Sequence, residues 1–194
     1  MDLIFVRHCQ TDWNVKGLMQ GQTDIPLNET GRLQARELAE KLREFNIKKI
    51  IASDLSRTRE TAEIIGRTHG LSPRLDARLR ECGFGSLEGL PREELWDYQD
   101  NPKLYHPYDL TKYGGEDSRT VLKRQIELLR ELEPPTDEAI LLVGHGRSIR
   151  TLLINLGHVR EPIGHGEIIV LPHQEVLQAL PTVLEQDPPH VFLD

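Results

Sequence analysis

Ala139-Ile140-Leu141-Leu142-Val143 is an unbroken apolar run set between Pro134-Pro135 and the turn Gly144-His145-Gly146. So short a run, apolar at every position, predicts a strand covered on both faces. Helical spacing resumes from Ile149 to Leu156, so the segment reads as a strand, a tight turn and a helix. Leu3-Ile4-Phe5-Val6 is a second buried-strand run, Ile47 to Ile51 a third and Ile168 to Leu171 a fourth. Between them lie amphipathic stretches. Leu33, Ala35, Leu38, Ala39 and Leu42 follow a helix start at Leu27-Asn28-Glu29-Thr30-Gly31. Thr58, Ala62, Ile64 and Ile65 follow a helix start at Ser53-Asp54, and Val121, Leu122, Ile126, Leu128 and Leu129 mark a helix over 120–132. Strands alternating with helices predict an α/β sandwich around a mostly parallel sheet.

In such sheets ligands bind beyond the C-terminal ends of the strands. Three polar motifs sit at those ends: Arg7-His8, Ser53-Asp54-Leu55-Ser56-Arg57 and Gly144-His145-Gly146. They are expected to converge although far apart in sequence. A neutral imidazole is a competent nucleophile near neutral pH, and an adjacent Arg pairs with phosphate oxygens. Arg7-His8 therefore suits phosphoryl transfer, which needs an in-line nucleophile and cations around the equatorial oxygens. The histidines show neither the i, i+4 spacing nor the Cys-His clustering of a metal site, and no metal or cofactor is expected.

The 194 residues suit a single domain over 1–194. A net charge of -7 argues against nucleic-acid binding, although a local Arg cluster can still hold an anion. No targeting segment or membrane-length apolar run is visible, and Cys9 and Cys82 make no disulfide framework. A cytoplasmic setting is the expectation, with no membrane partner. The sequence does not report oligomeric state, and a homodimer stays open.

Val6-Arg7-His8-Cys9-Gln10-Thr11-Asp12-Trp13-Asn14 resembles the signature of the histidine phosphatase superfamily, the phosphoglycerate-mutase-like proteins. Similarity continues in family order through Gln20-Gly21, Asp24, Pro26-Leu27, Thr30-Gly31, Ser53 to Arg57 with Thr61-Ala62, Leu79-Arg80-Glu81, Glu88-Gly89, Gly114-Gly115-Glu116 and Gly144-His145-Gly146. The resemblance implies a three-layer α/β/α sandwich and a metal-independent, acid-type phosphatase acting on a small phosphorylated metabolite. It implies that His8 becomes phosphohistidine, that Arg7, Arg57 and His145 line the phosphate pocket, and that Asn14, Gln20, Gly21 and Gly146 help bind substrate. Glu81 would protonate the leaving oxygen, with Glu88 a second candidate acid. Cys9 departs from the family's Gly and must adopt a backbone conformation that a side chain tolerates.

A phosphatase is favoured over a cofactor-dependent mutase. The mutases carry a longer insertion and further arginines for a second anionic group, whereas Glu81 is followed by Cys82-Gly83-Phe84-Gly85. An inactive phosphate-binding module is the third reading. Residues 90–116 form an expected lid-like insertion, holding Trp96, Tyr98, Tyr105, Tyr108 and Tyr113. Its rings either wall the substrate or form a satellite core.

Overall fold

The computed structural model describes residues 2–92, 105–106, 108–132, 138–158, 162–183 and 191–192. The principal sheet contains β1 (Asp2–Arg7), β2 (Ile47–Ala52), β3 (Arg74–Leu75), β5 (Ala139–Gly144) and β6 (Ile168–Pro172) in the order β3-β2-β5-β1-β6. A separate antiparallel pair joins β4 (Tyr105–His106) to β7 (Val191–Phe192). β1, β2, β3 and β5 run parallel, whereas β6 closes the edge antiparallel to β1.

Alternate side chains of the central strands feed two cores, which is why their sequences are apolar throughout. Leu3, Phe5, Ile140 and Leu142 belong to one core; Ile4, Val6, Leu141 and Val143 belong to the other. A single turn, α1 (Asp12–Val15), follows β1 and buries no residue. The second core is covered by α2 (Glu29–Lys41) and α3 (Ser56–His69) through Ala35, Leu38, Ala62 and Ile65. The first is covered by α4 (Ser118–Arg130), α5 (Gly146–Asn155) and α6 (His173–Val183) through Leu122, Ile126, Leu152, Val176 and Leu180. Each fully buried Leu or Ile contributes about 2 kcal/mol. The result is the expected three-layer α/β/α sandwich.

Local details refine the expectations. Asn28 caps α2 by accepting from the Gly31 N–H, but Leu33 is half exposed because the buried stripe runs through Gly31, Ala35 and Leu38. α3 starts at Ser56 rather than at Ser53-Asp54. Its cap comes from outside the helix: Asp24 Oδ1 accepts from the Ser56 N–H and hydroxyl. Asp54 instead pairs through both oxygens with Arg80. α5 begins at Gly146, a turn before the expected Ile149. The antiparallel sense of β6 and the helix α6 had no counterpart in the sequence expectations.

Of the expected lid, 93–104 and 107 lie outside the described residues, Trp96 and Tyr98 among them. Tyr108 is buried in a third cluster with Met19, Cys82, Phe84, Leu87, Leu110 and Val121, and its hydroxyl hydrogen-bonds Thr151 Oγ1. At Tyr108 the satellite-core alternative holds. Among the described residues no helix is long and apolar enough to cross a membrane.

Candidate active site

The sheet order makes β2, β5 and β1 neighbours, so their C-terminal ends meet. Past β1, the His8 N–H donates to the Gly144 carbonyl at 2.9 Å; past β2, the Ser53 N–H donates to Val143 at 3.0 Å. The next residues along each strand are the three sequence motifs. Their side chains gather at a cleft of about 300 Å³ lined by Arg7, His8, Asn14, Gln20, Gly21, Arg57, Glu81 and Gly146, among others. His145 lies behind it, its ring centroid 5.2 Å from that of His8.

The hydrogen-bond partners assign the two imidazoles opposite tautomers. His8 Nδ1 lies 2.7 Å from the Cys9 carbonyl oxygen. A carbonyl only accepts, so Nδ1 carries the proton and Nε2 keeps its lone pair. Arg57 Nε–H donates to His145 Nδ1 at 3.3 Å. A guanidinium only donates, so the His145 proton sits on Nε2. Burial first, then the charges of Arg57 and Arg7, hold the His8 pKa well below the usual imidazole range. Burial, Arg57 and His8 do the same to His145. Both rings are neutral near pH 7: one offers a lone pair, the other an N–H.

Arg57 is almost fully buried in the first turn of α3, and its remaining hydrogen bonds go to the carbonyls of Thr23 (2.8 Å) and Gly21 (2.7 Å). Arg7 donates from one terminal nitrogen to the Ile163 carbonyl. Burial lowers the pKa of each guanidinium to about 10, which leaves both charged. A Cβ on Gly146 would lie 3.2 Å from Arg7 Nε, so glycine lets the arginine pack against the start of α5. Gly21 adopts φ +53°, and a Cβ there would overlap Glu88 Oε1.

Asn14 closes a capping box with Thr11: its Oδ1 accepts from the Thr11 N–H, which turns Nδ2 the other way. Gln20 Oε1 accepts from the Thr11 hydroxyl. Arg7 Nε, Asn14 Nδ2 and His145 Nε2 are all buried without a hydrogen-bond partner. A buried donor left unsatisfied costs about 1–3 kcal/mol, so three around one imidazole call for an acceptor-rich ligand.

The two candidate acids separate clearly. Glu81 lines the cleft; Oε1 accepts from the N–H groups of Cys82 (2.9 Å) and Ser148 (2.8 Å), and Oε2 from that of Arg147 (3.1 Å). Glu88 does not line it. Its oxygens accept from the N–H groups of Gln22, Thr23 and Phe84 and from the Thr23 hydroxyl, which ties two loops together.

Cys9 tolerates its position because the described residues include no non-glycine with positive φ. Its thiol is buried, its N–H donates to Thr61 Oγ1, and burial pushes its pKa to about 11. Cys82 is buried and free, raised to about 12 mainly by burial. Among the described residues no group of three or more His, Cys, Asp or Glu could hold a metal ion.

Four residues escaped the sequence reading. Arg92, Arg147 and Arg150 line the cleft. The signal for one of them was available: a helix start at Gly146 places Arg147 in its first turn, beside His145. His165 precedes β6, its ring centroid 5.9 Å from that of His8, and burial followed by Arg7 and Arg92 lowers its pKa to about 4. Nothing local in the sequence marks it.

Parallel strand ends that gather neutral histidines and buried guanidiniums around one cleft define an α/β protein with a cationic, histidine-centred site. The chain belongs to the histidine phosphatase superfamily (branch 1), whose profile matches residues 3–174. It is 37% identical over 164 residues to a protein of Yersinia pestis (strain Pestoides F) named probable phosphoglycerate mutase GpmB, covering 80% of this chain and 74% of that one. Among solved structures, a mycobacterial glucosyl-3-phosphoglycerate phosphatase in complex with VO3 superposes with a TM-score of 0.80 at 33% identity, over 88% of this chain and 92% of the other. The Thermus thermophilus protein TTHB049 gives a TM-score of 0.71 at 33% identity, over 88% and 93%.

Proposed function

We propose that the protein hydrolyses phosphomonoesters through a phosphohistidine formed on His8, with no metal ion taking part. The observation that carries this reading is the set of unsatisfied donors, Arg7 Nε, Asn14 Nδ2 and His145 Nε2, beside an imidazole whose Nε2 keeps its lone pair. Together with the charges of Arg7 and Arg57 they suit the oxygens of a transferring phosphoryl group.

His8 Nε2 attacks phosphorus, and the bond from phosphorus to the ester oxygen breaks. Glu81 Oε2, which accepts one backbone N–H, has room for the proton that passes to the leaving oxygen. Water then attacks phosphorus, Glu81 takes a proton from it, the P–N bond breaks, and inorganic phosphate leaves with His8 neutral again. The guanidiniums supply the charge that a metal ion supplies in other phosphatases.

The likeness to a probable phosphoglycerate mutase favours a second reading, in which the phosphoryl group returns to another oxygen of the substrate. ³¹P NMR of a reaction with 3-phosphoglycerate separates the two, because a mutase yields the 2-isomer and a phosphatase inorganic phosphate. The direct test is rapid quenching of EDTA-treated protein during turnover of p-nitrophenyl phosphate. The proposal expects one phosphoryl group on His8 in the wild type, none in His8→Asn, and undiminished turnover in EDTA. Activity lost to the chelator and restored by a divalent ion would overturn it.

A further inference from the structure

Arg57 is a buried cation whose hydrogen bonds reach no carboxylate among the described residues. They go to His145 Nδ1 and to the carbonyls of Gly21 and Thr23. A guanidinium has five N–H groups, so part of its edge is left for a bound anion. A buried charge without a counter-charge is costly. The compensation comes from the far side of the loop that supplies the two carbonyls.

The Gly21–Gln22 peptide group is held from both sides. A trans peptide points its C=O and its N–H in opposite directions. Here the C=O accepts from Arg57 at 2.7 Å, and the N–H donates to Glu88 Oε1 at 2.9 Å. The pattern recurs at Thr23. Its carbonyl accepts from Arg57 at 2.8 Å, while its N–H donates to Glu88 Oε2 at 2.9 Å and its hydroxyl to the same oxygen. Carboxylate, peptide and guanidinium thus form a hydrogen-bonded chain in which each bond polarises the next. Asp24, the next residue, caps α3 at Ser56, so the loop grips Arg57 and the start of its helix together. Glu88 is itself fixed by the Phe84 N–H, which donates to Oε1 at 3.0 Å. Burial lowers the Arg57 pKa, and the charges of Glu81, Asp24 and Glu88 oppose that shift. A carboxylate in direct contact with Arg57 would occupy the edge along which a phosphoryl group binds. Set one peptide group away, Glu88 stabilises the charge and leaves that edge open.

We propose that Glu88 is a positioning residue for anion binding, the counter-charge that holds Arg57 in place through the Gly21–Thr23 backbone without touching the substrate. This rests on the phosphatase reading of the cleft, and it gives Glu88 a role other than that of an acid.

A double-mutant cycle with Arg57 tests it, run on vanadate affinity by calorimetry and on kcat/KM for p-nitrophenyl phosphate, well below the melting temperature. Glu88→Gln is expected to lower both by roughly tenfold to a hundredfold, the range of a charge-assisted hydrogen bond. In an Arg57→Met background the same change should cost less than about threefold, because Glu88 acts through the guanidinium. Alkyl phosphates should lose the same factor as p-nitrophenyl phosphate. A merely structural role predicts lower melting with the folded protein binding vanadate as wild type does, and that result would overturn the proposal. So would equal losses in the two backgrounds, or a loss confined to alkyl phosphates, which would make Glu88 the acid. If Glu88→Gln does not fold, Glu88→Asp, which draws the carboxylate back by one methylene, enters the same cycle under the same criteria. The two readings fail separately. A non-additive cycle on vanadate in a protein that hydrolyses no ester keeps the role of Glu88 and removes the phosphatase reading; good turnover with an additive cycle does the reverse.

Discussion

Arg124 in α4 uses all five of its N–H donors to hold the segment that carries Glu81. One terminal nitrogen donates to the carbonyls of Arg78 and Arg80 at 2.7 Å each, and the other to the carbonyl of Glu81 at 2.9 Å. Two further bonds, at 3.1 Å each, reach the Glu116 carboxylate, which in turn accepts from the Gly83 N–H and Gln22 Nε2. Arg124→Met keeps much of the aliphatic stem and removes every donor. It leaves Glu116, whose side chain is only 20% exposed, without its cation. Breaking a buried ion pair costs about 3–5 kcal/mol; the low end applies here because water reaches both partners. A loss of about 3 kcal/mol lowers the melting temperature of a chain this size by about 6–12 °C. The function should change in character as well. With Glu81 less firmly placed, turnover of alkyl phosphates should fall roughly tenfold more than turnover of p-nitrophenyl phosphate, whose phenolate leaves unaided. Arg124→Lys restores the charge but not the reach to three carbonyls, so it should fall between. Calorimetric melting and the ratio of the two kcat/KM values are the assays. An Arg124→Met protein that melts within about 2 °C of wild type and keeps that ratio would refute the reasoning.

Glu81→Gln should slow alkyl phosphates by roughly 10²–10⁴ and p-nitrophenyl phosphate far less; equal slowing of both in steady-state assays would remove Glu81 from the acid role. Stability should fall on mild acidification. His8 and His145 have native pKa values well below 6.5 and His165 one of about 4, so below pH 6.5 the unfolded chain binds protons that the native state refuses. Stability therefore rises with pH up to about 6.5, and moving from pH 7 to 5.5 should cost about 1 kcal/mol per histidine. Urea midpoints at the two pH values measure it, and an unchanged midpoint would mean that the imidazoles are protonated in the native state.

The convergence of Arg7, His8, Arg57 and His145 was legible because each follows an apolar run whose end is marked by polar or glycine residues. Chain order alone could not say that β2, β5 and β1 are neighbours; that follows once three motifs must share one ligand. The choice between Glu81 and Glu88 was not legible. Both sit in irregular chain, and what separates them is tertiary: N–H groups of α5 for one, three loop N–H groups for the other. Arg147 was missed through placing the start of α5 at Ile149, since polar residues in a first helical turn blur the apolar spacing that marks a helix, whereas Arg150 lay inside the expected helix with no local pattern to aim it at the cleft. Leu33 looked like a core position by residue type, yet the stripe turned it outward. His165 and Arg92 reach the site through loop paths that no local pattern encodes.

The strand that carries the predicted nucleophile has a consequence for the order in which the molecule can assemble. β1 makes its ladders with β5 and β6 alone, Asp2 facing Ala139 on one side and Pro172 on the other. A growing chain therefore emerges with its most apolar early segment lacking both partners until most of the sequence has been synthesised. Closing so long a loop is entropically slow, and an unpaired apolar strand is sticky meanwhile. The loop segment that follows β1, from His8 to Asn14, must wait equally long, because the His8 N–H is received by Gly144. The proposed anion site can thus form only once β5 has been synthesised, so a chain stalled before Gly144 presents no half-built version of it.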